Sequence, residues 1–388
     1  MEKNLIFINN NSLKFLIFLF IFILISIENI ILKQIKYIKK NHIKSTNYRL
    51  LLKKINQTFE QNEYVNINEI ESILPNGRKW EKLKNRNNEI NIGFQLDPNY
   101  IFRAMMTLAS IMDSQKYETK IRFHFAVVLS FNAEHMLKIY SLRDKIRDDV
   151  EFNFYNAKKV EIDLKNLNSK GPGAVAKLLL PEIIPNNINK LIIFDTGDLL
   201  VLRDLSEIYN WNMSNFLYLG QPGIKIGDYA TISKKKFITY INTGSMLINV
   251  EMVKKEKLYE KFVKNKDAYN GPFGDQTLQN DIAFGKIGYL PIKFWYRPPY
   301  SNDEESDKMS LNYSYEEYSK MFMEKIFPFI PKNKNNNNLI QSGINPVVVH
   351  QFNGKWMYGE GLTVYRRISH IKLAGISDDI YMKFPGYK

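Results

Sequence analysis

From residue 91 the chain alternates between two hydrophobic periods. Asn91–Leu96 reads as a short apolar strand. Pro98 and Asn99 interrupt it, and Tyr100–Met112 then carries apolar residues at helical spacing. Ile121–Leu129 predicts a second strand, alternating at first and solidly apolar at its end. Ala133–Ile146 is amphipathic at the helical period, and Val150–Tyr155 is a third strand. Strands that alternate with helices predict an α/β fold, with a mostly parallel central sheet covered by helices on both faces. Ligands of such sheets bind beyond the carboxyl ends of the strands, so polar residues just after each strand are the candidates for chemistry. No internal repeat is found. Residues 331–338 form an Asn-rich loop insertion, and 301–308 a second exposed segment.

Before residue 89 the pattern differs. Phe15–Ile27 reads FLIFLFIFILISI without a charge. Extended to 13–32, it reaches the roughly 20 residues that a membrane-spanning helix needs. No small-x-small cleavage site follows it, and Lys33, Lys36, Lys39 and Lys40 come next, so a retained signal-anchor is expected. The predicted organisation is a short tail (1–12), a transmembrane anchor (13–32), a stem or linker (33–88) and one globular domain (89–388). The stem carries Ile67, Ile70 and Leu74 and a Pro75-Asn76-Gly77 turn, enough for one or two helices. The basic flank after the span favours a cytosolic domain by the positive-inside tendency. Sequons starting at Asn56, Asn212 and Asn312 fit a lumenal domain instead.

Composition narrows the classes only partly. The chain has 388 residues, 45% hydrophobic and 13% aromatic, ample for a packed core. The formal net charge of +14 is compatible with nucleic acid, a membrane surface or anionic small substrates, and does not choose among them. No basic stretch is interleaved with aromatic residues in the way nucleic-acid binding needs, so no nucleic-acid partner is expected. With no cysteine, disulfides, zinc-thiolate sites and thiol nucleophiles are excluded.

The strongest local signal is Leu191–Phe194 followed by Asp195-Thr196-Gly197-Asp198 and then Leu199–Leu202. A buried strand ends in two acids and resumes apolar at once. Carboxylates beside a core need compensation. A hard cation on oxygen ligands supplies it, and can also bridge to a diphosphate leaving group. A turn with Gly197 at positive φ and Asp side chains capping the chain supplies it equally well. Spacing alone leaves both open.

Residues 171–205 around these acids resemble glycosyltransferase family 8, the group that includes glycogenin and bacterial galactosyl- and glucosyltransferases. Lys177 four before Pro181, the strand Ile192–Phe194, the acid pair and Asp204-Leu205 stand in the family's order. The acids here are spaced Asp-x-x-Asp, one residue longer than the family's Asp-x-Asp. Lys177 stands where the family has arginine, keeping the charge and losing the bidentate fork. Asp97-Pro98-Asn99-Tyr100 resembles the nucleotide-binding turn, in which Asp97 would accept from uracil and Tyr100 would stack on it. Asn242-Thr-Gly244 resembles the family's Asn-x-Gly strand, with Asn242 on the sugar and Gly244 allowing close backbone approach. Asp275-Gln276, opening a helix over Thr277–Phe284, resembles the pair at the donor sugar. His350 followed by Gly354 and Lys355 resembles the closing motif, His350 as third metal ligand and Lys355 on phosphate, with Gly354 and Lys355 offset from the family spacing. The resemblance covers roughly residues 90–368.

It implies a GT-A-type nucleotide-binding fold and a retaining, metal-dependent transfer from a UDP-sugar to an acceptor hydroxyl on a glycan, glycoprotein or glycolipid. Asp195, Asp198 and His350 would hold the metal, and mixed oxygen and nitrogen ligation suits manganese (Mn2+) better than calcium. Asp275 and Gln276 would act at the reacting sugar. Phe294–Pro298 faintly resembles the xylosyl-transferring branch, so hexose and pentose both stand. An anchored enzyme of this class is expected as a single-pass type II protein of the Golgi or ER with a lumenal catalytic domain. One alternative is a catalytically inactive member that binds sugar or protein, and the lengthened acid spacing is its support. A second is a membrane-tethered interaction protein acting through Lys-rich residues 33–54, whose binding would fall steeply with salt.

Overall fold

The computed structural model describes residues 48–290 apart from 63, 75–87, 129, 164–171, 198, 202, 224, 226 and 270–273, together with 295–296 and 348–350. The expected tail and anchor (1–32), the first part of the stem, Asp198, Gly354 and Lys355 lie outside the described residues. Among the described residues no helix is long and apolar enough to cross a membrane.

The central sheet takes its strands from β1 (Tyr64–Asn66), β2 (Asn88–Leu96), β3 (Thr119–Val127), β4 (Val150–Asn156) and β5 (Lys190–Phe194). Beyond β6 (Leu199–Val201), it continues with β7 (Tyr218–Pro222), β8 (Ile241–Asn249) and β9 (Ile287–Tyr289). Their spatial order is β1-β4-β3-β2-β5-β8-β7-β9. β4, β3, β2 and β5 are parallel, as the alternating pattern predicts. The mostly parallel expectation is nevertheless corrected to a mixed sheet. β8 runs antiparallel to both β5 and β7, β1 is antiparallel to β4, and only β9 returns parallel to β7. The reason is the connection: among the described residues no helix separates β7 from β8, and without a crossover the chain turns back antiparallel.

Both faces of the sheet are buried. In β5, Ile192 and Phe194 enter one apolar cluster, and Leu191 and Ile193 enter the other. Helix Ile101–Ser114 packs on the first side, where Thr107 Oγ1 donates to Leu199 O at 2.8 Å and Ser110 Oγ accepts from Val201 N at 3.0 Å. The predicted helix over Ala133–Ile146 is split at Ser141 into Ala133–Tyr140 and Leu142–Lys145. Ser141 Oγ donates back to Lys138 O at 2.6 Å, competing with the helical ladder there.

Residues 48–74, read from sequence as stem, add to this domain. Residues 48–61 are helical, with Leu51 and Ile55 buried in the core, and β1 pairs with the free edge of β4. A second, small sheet joins β6 to β10 (Trp295–Tyr296) and β11 (Val348–His350) in the order β10-β11-β6. β11 lies antiparallel to β6, with His350 in register with Leu199.

Candidate active site

The site is assembled at the carboxyl ends of β2 and β5 and the start of β8. Phe94 pairs with Phe194 and Phe194 with Ser245, so Asp97, Asp195 and Asn242–Gly244 emerge together from one lip of the sheet. Asp195 follows β5 directly, and its backbone N–H donates to Gly244 O at 2.6 Å. Its carboxylate is ion-paired with Lys177 Nζ, and its Oδ1 accepts from Gln95 Nε2 at 2.9 Å. Lys177 is 3% exposed and Asp195 30%, so the pair faces outward on the acid's side. Lys177 also donates to Thr243 O at 3.1 Å, which ties it to β8. The compensation that sequence reasoning sought for Asp195 is thus supplied within the chain.

Gly244 is required by contact. A Cβ there would stand 2.6 Å from Asp195 Oδ2 and 2.9 Å from Asn242 Oδ1. Asn242 Oδ1 accepts from Gly244 N at 2.8 Å, so the Asn-x-Gly stretch folds onto itself beside the acid. Gly197 has φ 87°, as the turn reading expects.

Helix Gly274–Ile282 buttresses the same stretch. Gln276 Oε1 accepts from Thr243 N at 3.2 Å, and its Nε2 donates to Tyr240 OH at 3.1 Å. Asn280 accepts from Ile241 N and donates to Ile241 O, stapling the helix to β8. Burial raises the Tyr240 phenol above its ordinary pKa, so it stays protonated within this network. Asp275 is half-buried in the helix's first turn, where a carboxylate meets the positive end of the helix dipole.

Asp97 caps the short turn Pro98–Tyr100, accepting from Asn99 N at 2.9 Å, while Tyr100 is 42% exposed beyond it. The structure therefore brings Lys177, Asp195, Asn242, Gly244 and Gln276 into one bonded network. It places Asp97, Asn99 and Tyr100 at the adjacent strand end. The backbone of His350 lies in register with Leu199, the residue after Asp198.

Sequence reasoning missed Gln95, Tyr240 and Asn280. Gln95 carries no local signal: it lies in the buried part of β2, and its contact with Asp195 joins positions 100 residues apart. Its Oε1 is buried and makes no hydrogen bond, an oxygen beside Asp195 with unmet capacity. That orphan, the half-exposed acid and the register of His350 suit a cation held by oxygen and imidazole ligands. Among the described residues alone no group of three His, Asp or Glu gathers.

Residues 91–328 match the family model described as "Glycosyl transferase family 8". The chain is 28% identical over 222 residues to a putative glycosyltransferase of Haemophilus influenzae, covering 54% of this chain and 64% of that protein. It is 23% identical over 196 residues to the probable galacturonosyltransferase-like 4 of Arabidopsis thaliana, covering 45% of this chain and 53% of that protein. The chain thus spans less than two thirds of the length of each. Among solved structures, the galactosyltransferase LgtC bound to donor and acceptor sugar analogs aligns with a TM-score of 0.53 at 16% identity, over 76% of this chain and 98% of that one. The bifunctional glycosyltransferase WbbM aligns at 0.53 and 14% identity, over 76% of this chain and 52% of that one. These likenesses establish a GT-A-like α/β fold built on a mixed sheet.

Proposed function

Because this chain belongs to glycosyl transferase family 8, we propose that it is a metal-dependent, retaining glycosyltransferase that moves a hexose or pentose from a UDP-sugar to an acceptor hydroxyl. The observation that carries the reading is the gathering of Lys177, Asp195, Gly244 and Gln276 at one lip of the sheet. A divalent cation such as manganese, held by Asp195, Asp198 and His350, would neutralise the diphosphate of the departing UDP.

The chain's own groups do the rest. Tyr100 offers an exposed ring on which a base can stack, at the end of the strand beside Asp195. Lys177 holds Asp195 in place and keeps a positive charge at the lip. Gln276 fixes the Asn242–Gly244 stretch, leaving Asn242 and Asp275 to orient the sugar. The acceptor hydroxyl enters on the side that UDP vacates, which preserves the anomeric configuration. Lys355 follows β11 in sequence and serves as a further phosphate contact. The domain lies in the ER or Golgi lumen behind the anchor at 13–32, an arrangement that protease protection in sealed microsomes tests.

The test is UDP release by the full chain from a panel of UDP-sugars, with and without manganese. Metal-dependent release with at least one donor is expected, and Asp198→Ala and His350→Ala each abolish it while leaving the fold intact. Asp275→Ala is expected to keep UDP binding and lose transfer. The Lys177–Asp195 pair favours a second reading, a sugar-binding member without transfer, because it neutralises the first acid without a metal. No release from any donor and no manganese-dependent UDP binding would leave that reading in place.

A further inference from the structure

The connection between β7 and β8 is a basic, aromatic hairpin beside the candidate site. Between Gly223 and Tyr240 the chain carries Lys225, Lys234, Lys235 and Lys236 against one acid, Asp228. It folds on itself: Gly227 N donates to Phe237 O at 2.8 Å, Phe237 N to Asp228 O at 2.9 Å and Ala230 N to Lys235 O at 2.8 Å. Ala230, Phe237 and Tyr240 form its small apolar core.

The hairpin is anchored from below. Asp281, 2% exposed, accepts from Ile232 N at 2.6 Å, Ser233 N at 3.0 Å and Tyr269 OH at 2.7 Å. At its base, Tyr240 binds Gln276 Nε2 and Gly223 N donates to Tyr240 O at 2.7 Å. Asn242 follows two residues later and pairs with Gln221 on β7. The hairpin therefore rises from the same lip as Asn242 and Gly244, on the flank away from Tyr100.

Its outer surface is unusual. Tyr229 is 70% exposed and Ile238 55%, with Lys234, Lys235 and Lys236 all exposed around them. Lys236 Nζ sits 5.4 Å from the Tyr229 ring centre, while Lys235 Nζ lies 5.9 Å from that of Phe284. Consecutive lysines thus spread to different sides of the hairpin. Such a spread meets charges distributed along a chain, not a single compact dianion. An exposed ring flanked by cations is a platform for a sugar ring that carries carboxylates.

We propose that this hairpin is the acceptor platform, and that the acceptor is an acidic oligosaccharide with carboxylates on successive sugars. The proposal rests on the glycosyltransferase reading above and names its acceptor class. Tyr229 stacks on one sugar ring, Lys236 beside it meets a flanking carboxylate, and Lys234 and Lys235 extend the positive charge along the hairpin.

Titration of the full chain with trigalacturonate, and with maltotriose as the neutral control, tests it. Trigalacturonate is expected to bind at least about tenfold more tightly than maltotriose, weakening as salt rises from about 0.05 to 0.3 M. Lys234→Glu with Lys236→Glu, and separately Tyr229→Ala, should each weaken trigalacturonate about tenfold or more. UDP release from donor alone should be unchanged in both variants. Equal binding of the two saccharides, or variants that bind trigalacturonate as the parent does, would overturn the proposal. So would a hairpin that binds phosphatidylserine vesicles and not trigalacturonate. Donor hydrolysis is read in the same samples, so failure of the acceptor assignment is separable from failure of the transferase reading.

Discussion

At the residue scale, His124 shows how a buried polar side chain is fixed by its neighbours. It lies in β3 between Asn91 Oδ1 and Tyr155 OH, each 3.0 Å from a ring nitrogen. Asn91 Nδ2 donates to Tyr209 OH, whose own proton goes to Lys190 O, so the Asn91 oxygen faces the ring. The Nε2 atom therefore carries the proton and Nδ1 accepts from Tyr155. Burial, aided by the nearby Arg122 charge, lowers the His124 pKa from 6.5 to about 3. Between those values the unfolded chain binds a proton that the folded chain refuses. Stability is complete above the unfolded pKa and is lost as pH falls toward about 3, at up to about 1.4 kcal/mol per pH unit. Unfolding free energies from denaturant titrations at pH 7 and pH 5 should differ by about 2 kcal/mol more in the parent than in His124→Gln, which keeps one donor and one acceptor without a titration. An equal pH response in the two proteins would refute the buried neutral imidazole. Gly244→Ala belongs to the same scale. Its methyl would press on Asp195 Oδ2, which predicts a loss of about 1–3 kcal/mol in thermal unfolding and at least about a tenfold fall in UDP release.

At the element scale, the β7–β8 hairpin hangs on one carboxylate. Asp281→Ala would leave two backbone N–H groups and the Tyr269 hydroxyl without their acceptor. Trypsin should then cut at Lys234–Lys236 about tenfold faster, while the core strands keep their hydrogen-exchange protection, since local opening is separable from global unfolding. Uniform loss of protection would instead make Asp281 a core residue of the whole domain. The element scale also shows what the sequence made legible. The apolar runs that became β2 to β5 were readable because each is bounded by turn residues and covered on both faces. The antiparallel turn at β8 was not, because Ile241–Asn249 has the same apolar character in either direction, and only the missing crossover helix sets its sense. Asp195 stood out as an acid at a strand end, while Asn242, Gly244 and Gln276 were legible only through the resemblance to glycosyltransferase family 8. Gln95, Tyr240 and Asn280 did not, because their roles come from contacts between elements far apart in sequence, 100 residues apart for Gln95 and Asp195.

At the scale of the whole molecule, the domain is larger than its apolar periodicity suggests. Left open, β4 would present unpaired backbone groups at the edge of the sheet, a template for association. β1 covers that edge, and the contacts around it are numerous. Tyr64 OH donates to Asn153 Oδ1 at 2.7 Å. Asn68 donates to Val150 O and accepts from Phe152 N, as a backbone strand would. Glu71 receives both Arg143 and Tyr140 from the helices over the sheet. Ile55, Val65 and Ile67 are fully buried, which at about 1.5–3 kcal/mol each is roughly 5–9 kcal/mol. That is comparable to the whole stability of an ordinary domain, about 5–15 kcal/mol. A chain beginning at Tyr48 should therefore melt cooperatively and run as a discrete species in size exclusion. One beginning at Asn88 should lose its cooperative transition and associate through the exposed edge of β4. If both melted at the same temperature, residues 48–74 would be a stem resting on the domain. If they diverge as expected, residues 48–74 are a structural part of the fold, and any linker to the anchor proposed at 13–32 would be confined to the residues before Tyr48.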